Sequence, residues 1–213
     1  MFAEYDMKYK LLLRALSNNS RATLTELAKE AKTSRVTAAK LLEKLEKDLA
    51  LKYTIEVDDD KLGFTQRHII IVKFDKKPKE AELVEAFRND IMASNVYMCD
   101  GDFDLIVHVR ASDPMAYITW ETQLASKMGE YSVAIKPSTV MVPNFGYLPI
   151  NAEEIRALSR IDEEDKMLMA ELSENSRQRL LGLARKFHTG SPTLNYRLFS
   201  IRKRNLVTRF TLS

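Results

Sequence analysis

The sequence predicts an α+β protein in three parts. A winged helix-turn-helix is expected over residues 1–60 and a ferredoxin-like βαββαβ domain, of the RAM type, over 61–148; a linker helix at 149–160 then leads to a second winged helix-turn-helix over 161–213. Three observations predict this: an internal repeat, a change of hydrophobic period between the ends and the middle, and a matching segregation of charge.

The repeat is read directly. Ser17-Asn18-Asn19-Ser20-Arg21 returns 156 residues later as Ser173-Glu174-Asn175-Ser176-Arg177, and ungapped alignment of residues 6–57 with 162–213 gives 15 identities over 52 positions. The shared positions include Leu12 with Leu168, Leu16 with Leu172, Leu27 with Leu183 and Leu42 with Leu198. One supersecondary unit therefore stands at both ends of the chain.

In the first copy Asp6 offers a cap to a helix whose apolar residues Tyr9, Leu12, Leu13 and Leu16 recur at helical spacing. After the polar break at Ser17–Arg21, Thr23-Leu24-Thr25-Glu26 spells a capping box that starts a short second helix. Lys32-Thr33 turns the chain, Ser34 caps a third helix through Ala38, Leu41, Leu42 and Leu45, and Lys52–Val57 alternates like a strand. With the apolar positions inward, Ser34, Arg35, Thr37, Lys40, Lys44 and Lys47 are left outward. The first three sit where a recognition helix touches base edges, and the lysines are placed to grip phosphate.

The second copy keeps the inward positions and changes the outward ones. Ser191-Pro192 starts its third helix, since proline at the first helical position loses no needed donor. Ser191, Thr193, Asn195, Tyr196, Arg197, Arg202, Lys203 and Arg204 follow as candidate DNA contacts, a more basic set than the first. Gly182 stands where the capping-box glutamate was, at a cost of about 1 kcal/mol relative to alanine.

The middle changes period. Arg67–Phe74, Asn95–Cys99, Leu105–Arg110 and Tyr131–Val142 read as strands, and Pro78–Ile91 and Pro114–Met128 as helices. That order is ferredoxin-like and leaves one sheet face to be covered, as by a second copy across a two-fold axis. Charge follows the same division: +3 over residues 1–57, −4 over 58–150 and +4 over 151–213. Residues 177–213 hold nine Lys or Arg and no Asp or Glu, a block suited to a polyanion such as double-stranded DNA.

Composition excludes several classes. The single cysteine, Cys99, rules out an internal disulfide, no apolar run reaches the roughly 20 residues of a membrane span, and no secretory signal is present, so a cytoplasmic protein is expected. His68, His108 and His188 are scattered, and no nucleophile, metal or phosphate-loop motif occurs; no cofactor, no metal and no catalysis are expected.

The amino-terminal helix-turn-helix, the Leu45-Glu46-Lys47-Asp48 end of its third helix and Asp100-Gly101-Asp102-Phe103-Asp104 between two strands resemble the Lrp/AsnC (feast/famine) transcriptional regulators over about residues 5–145. The resemblance implies a sequence-specific DNA-binding regulator whose central domain forms a dimer or larger homo-oligomer. It also implies a small-molecule effector such as an amino acid near Gly101, Asp102 and Asp104, with Ser138 and Thr139 as further candidates. Leu49 and Ala50 depart from the family's usual glycine and aliphatic pair, and a second helix-turn-helix is an addition to its pattern. Sirohaem decarboxylases resemble the same arrangement, and the carboxyl-terminal copy could instead make protein contacts; these are the alternatives.

Overall fold

The computed structural model describes residues 7–88, 90–128, 133–139, 150–158 and 161–212. Asp6 and the outer ends of the last central strand, Tyr131 and Val142, lie outside them.

The first copy forms α1 (Met7–Asn18), α2 (Leu24–Glu30), α3 (Arg35–Leu49) and β1 (Tyr53–Val57). Thr23 and Glu26 make the expected capping box, and the Ser34 hydroxyl accepts from Thr37 N at 3.1 Å to start α3. Leu12, Leu16, Leu27, Leu42 and Leu45 close over one another as the core.

The central segment runs α4 (Asp59–Leu62), β2 (Gln66–Phe74), α5 (Glu80–Phe87), β3 (Ala93–Met98), β4 (Leu105–Ala111), α6 (Pro114–Lys127), β5 (Val133–Thr139) and α7 (Ala152–Arg156). Its four strands form an antiparallel sheet in the order β3-β4-β2-β5, the arrangement expected of a βαββαβ chain. Ile70, Val72 and Phe74 of β2 and Leu105, Val107 and Val109 of β4 alternate onto the face covered by Leu83 of α5 and Tyr117, Trp120 and Leu124 of α6.

The last segment forms α8 (Glu163–Glu174), α9 (Leu180–Lys186), α10 (Ser191–Lys203) and β6 (Val207–Leu212). It reproduces the first copy in detail. Leu168, Leu172, Leu183, Leu194 and Ile201 are buried as Leu12, Leu16, Leu27, Ala38 and Leu45 are. The tight turn is repeated as well, with Lys32 and His188 both left-handed (φ 49 and 50) and Thr33 N and Thr189 N bonding to Ala28 O and Ala184 O at 2.9 Å each.

Three separate parts were expected; the chain forms two. The described residues up to Asp58 and those from Ile161 onward make one compact unit, and Asp59–Arg160 the other. The cause lies in the strands. Each copy carries one strand after its third helix, and β1 pairs antiparallel with β6 instead of forming a separate wing on its own copy. A lone strand leaves its backbone donors and acceptors unpaired, and the other copy supplies the partner.

The linker helix expected at 149–160 is likewise part of the central unit. Asn151 caps α7, and Glu154 reaches the fully buried Arg110 at 3.0 Å. Arg110 also pairs with Asp59 at 3.1 Å, and Asp59 with Arg67 at 2.8 Å, so α4, β2, β4 and α7 are joined through buried charge. Burial pushes the Glu154 carboxyl above the ordinary carboxylate range, against the pull of Arg110.

Candidate nucleic-acid interface

The two copies meet through the very pentapeptides that repeat. Ser20 Oγ and Ser176 Oγ lie 2.5 Å apart, both fully buried. The Arg21 guanidinium donates to the carbonyls of Ser176 and Gln178, and Arg177 donates to those of Ser20 and Ala22. Those four acceptors are themselves equivalent across the repeat. Ser20 N donates to Phe210 O at 3.0 Å and Ser176 N to Tyr53 O at 2.9 Å, while Arg21 covers the Phe210 ring and Arg177 the Tyr53 ring.

The ribbon has the same symmetry. Tyr53 faces Leu212, Thr54 faces Thr211 and Ile55 faces Phe210, an antiparallel register compatible with exchange of the two strands, its Thr54–Thr211 pair lying one residue out of step with the 156-residue repeat. The two halves of this unit are thus related by a pseudo-two-fold axis within one chain. The sequence signal was present in the identical Ser-Arg pairs, but short polar residues between helices read as an exposed break.

On α3 the expected contact residues stand together. Ser34, Arg35, Lys40 and Lys44 are exposed and Thr37 is half-buried. Ser34 and Thr37 also bond through their hydroxyls at 2.9 Å, and Lys44 Nζ stands 5.4 Å from the centre of the Tyr9 ring. One basic helix face therefore lies along the first copy.

On α10 the expected set divides. Thr193, Asn195 and Tyr196 are exposed, Ser191 is half-buried, and Arg202 is exposed with its guanidinium 5.4 Å from the Phe210 ring. Arg197 instead pairs with Asp162, Glu164 and Asp165, and Arg204 with Asp165. The acidic first turn of α8 thus engages two of the cations expected to meet phosphate. Beside them α10 exposes Tyr196 and Phe199, 72% and 63% accessible, so this face is less basic than composition implied.

The candidate effector residues are dispersed within one chain. Gly101, at φ 120, makes the β3–β4 turn, and Asp102 is exposed. Asp104 is buried, accepting from Phe74 N at 2.9 Å, with Lys73 Nζ at 3.4 Å. The Phe74 amide holds the Asp104 carboxyl below its ordinary range, the lysines adding to this. Lys77 Nζ reaches Asp100 at 2.8 Å and Cys99 O at 3.0 Å, so the turn is tied to β2 and the segment after it. Ser138 and Thr139 pair across β2 with Ile69 and His68, whereas the turn meets β2 at Val72 and Phe74. That separation is roughly 10 Å along the strand.

Two of the three histidines stand beside aromatic rings. His68 stacks on Tyr117 with centroids 3.6 Å apart, and burial lowers its pKa; His108 meets the edge of Tyr97 on the opposite sheet face. Among the described residues no helix is long and apolar enough to cross a membrane.

No protein-family model matches the chain. It is 28% identical over 110 residues to the HTH-type transcriptional regulator LrpA of Pyrococcus horikoshii, covering 51% of this chain and 77% of that protein. An uncharacterised HTH-type transcriptional regulator of the same organism is 36% identical over 100 residues, 46% of this chain and 66% of that one. Among solved structures, an AsnC family transcriptional regulator from Agrobacterium tumefaciens superposes with a TM-score of 0.58 at 16% identity, over 70% of this chain and 98% of that one. A transcriptional regulator from Neisseria meningitidis, solved as its complex with L-Met, gives 0.58 at 18% identity over 67% and 94%. These two likenesses bear on the fold.

Proposed function

We propose that the chain is a transcriptional regulator of the Lrp/AsnC type, like the regulators it is similar to, and that it binds double-stranded DNA through α3, with the carboxyl-terminal copy as a second helix-turn-helix of the same unit. The observation that carries this reading is the exposed face of α3. Arg35 stands in its first turn, and Lys40, Lys44 and Lys47 continue along the exposed side. A capped helix with cations spaced along one side fits a major groove and its flanking phosphates.

The central unit is then the oligomerisation and effector domain. Its sheet carries helices on one face, and the other, with Ile69, Ile71 and Ile106, suits pairing with a second copy. A small ligand, as the L-Met bound by the Neisseria protein suggests, would bind near Gly101 and Asp102, with residues such as Ser138 coming from another subunit because one chain does not gather them. Such a regulator works in the cytoplasm.

Electrophoretic mobility shifts with duplex fragments test the DNA assignment. Binding is expected to weaken steeply as salt rises, and Lys40→Ala is expected to reduce the slope of log affinity against log salt by about one. Salt-independent binding, or none, would remove the assignment.

A further inference from the structure

The way the two copies pair bears on which DNA the unit reads. Ser20 meets Ser176 and Arg21 and Arg177 exchange equivalent bonds, so the two copies meet as pseudo-equivalent partners of which α3 and α10 are the corresponding third helices. The backbone of duplex DNA has two-fold axes of its own, and a protein with two symmetric reading helices meets half-sites about one helical turn apart. In an ordinary homodimer the helices are identical and the half-sites match. Here they are joined in one chain and carry different side chains.

Across the repeat, Arg35 is matched by Ser191, Ala39 by Asn195, Lys40 by Tyr196 and Glu43 by Phe199, while Thr37 is kept as Thr193. Asn195, Tyr196 and Phe199 are all exposed. Arg197, which alignment alone would add to this face, is engaged with the acidic residues of α8. The outward chemistry therefore has Arg35 and Lys40 beside Glu43 on α3, and amide with aromatic on α10.

We infer that one chain reads a non-palindromic DNA site, with α3 on a guanine-containing half and α10 on an A·T-rich half. Arginine pairs in bidentate fashion with guanine O6 and N7, asparagine with adenine N6 and N7, and an apolar ring packs against the thymine methyl. The cations at the end of α10, Arg202 and Lys203, meet flanking phosphate. This assignment rests on the DNA-binding role proposed above and adds which bases each copy meets.

Selection of sites from a random double-stranded library by the full chain, repeated with Arg35→Ala and Asn195→Ala, tests it. Both residues are exposed, so the fold is retained. The site met by each chain is expected to be asymmetric, a homodimer simply repeating that asymmetric unit. Arg35→Ala should relax preference about ten-fold or more at guanine in one half, leaving the other unchanged, and Asn195→Ala should do the same for adenine in the other half alone. A palindromic site, relaxed in both halves by Arg35→Ala and untouched by Asn195→Ala, would overturn the inference, because two chains would each be supplying one α3. Retention of no duplex at low salt would remove the DNA-binding role itself, an outcome distinct from a symmetric site.

Discussion

Asp104 shows how one side chain can be legible in type and not in duty. Its place in Asp100-Gly101-Asp102-Phe103-Asp104 marked it as a ligand carboxylate, but that carboxylate is buried against the Phe74 amide. Its pKa is depressed in the folded protein, so the unfolded chain binds the proton more readily. The resulting stability is present above the ordinary aspartate value of about 3.9 and is lost as pH falls below it. Asp104→Asn keeps an oxygen for Phe74 N and cannot titrate. In acid denaturation followed by circular dichroism, the loss of stability between pH 5 and pH 2, both approximate limits, is expected to be shallower in this variant than in the parent. Curves of equal steepness would mean that Asp104 contributes nothing to acid sensitivity. Arg110 is the opposite case: nothing in its strand context singled it out, because its partners Asp59 and Glu154 lie 51 and 44 residues away.

At the scale of elements, sequence reading succeeded wherever the signal is local. The Thr23 capping box, the Ser34 cap and the Ser191-Pro192 start are side-chain and backbone preferences over a few residues, and the helices begin there. The end of α3 departs from the best local choice. The left-handed position falls on Ala50, at φ 47, where glycine carries no Cβ penalty. Ala50→Gly is expected to raise stability by about 1 kcal/mol, read as an upward shift of the thermal or urea midpoint. A fall in the midpoint would indicate that the flexibility gained by the unfolded chain outweighs the relief of strain. The short element α4 carried no comparable signal, whereas α7 was expected as a linker helix and opens on an Asn151–Glu154 capping box; helices of four and five residues are nevertheless held by tertiary contacts such as Glu154 with Arg110.

For the whole molecule, the duplication is a pairing. Removing residues 161–213 deletes β6 and the buried partner of Ser20. The shortened chain is therefore expected to melt its amino-terminal helices below the parent's transition or to associate through the exposed β1 edge, measurable by circular dichroism and light scattering. An unchanged transition in a monodisperse protein would mean that the first copy folds alone. Such a truncation cannot cleanly separate two DNA readers, which is why substitutions at exposed positions such as Asn195 are the better probe.

The sequence by itself determined the three-helix copies, their buried positions and the βαββαβ order of the middle, because periodicity and capping act over a few residues and repeat wherever the pattern repeats. Only the tertiary structure decided that the end copies are one unit, that Arg197 and Arg204 are engaged by α8, and that the repeated Ser-Arg pair is an axis. Those outcomes depend on strand edges seeking partners and on charges more than 30 residues apart meeting in space, which spacing along a chain does not encode.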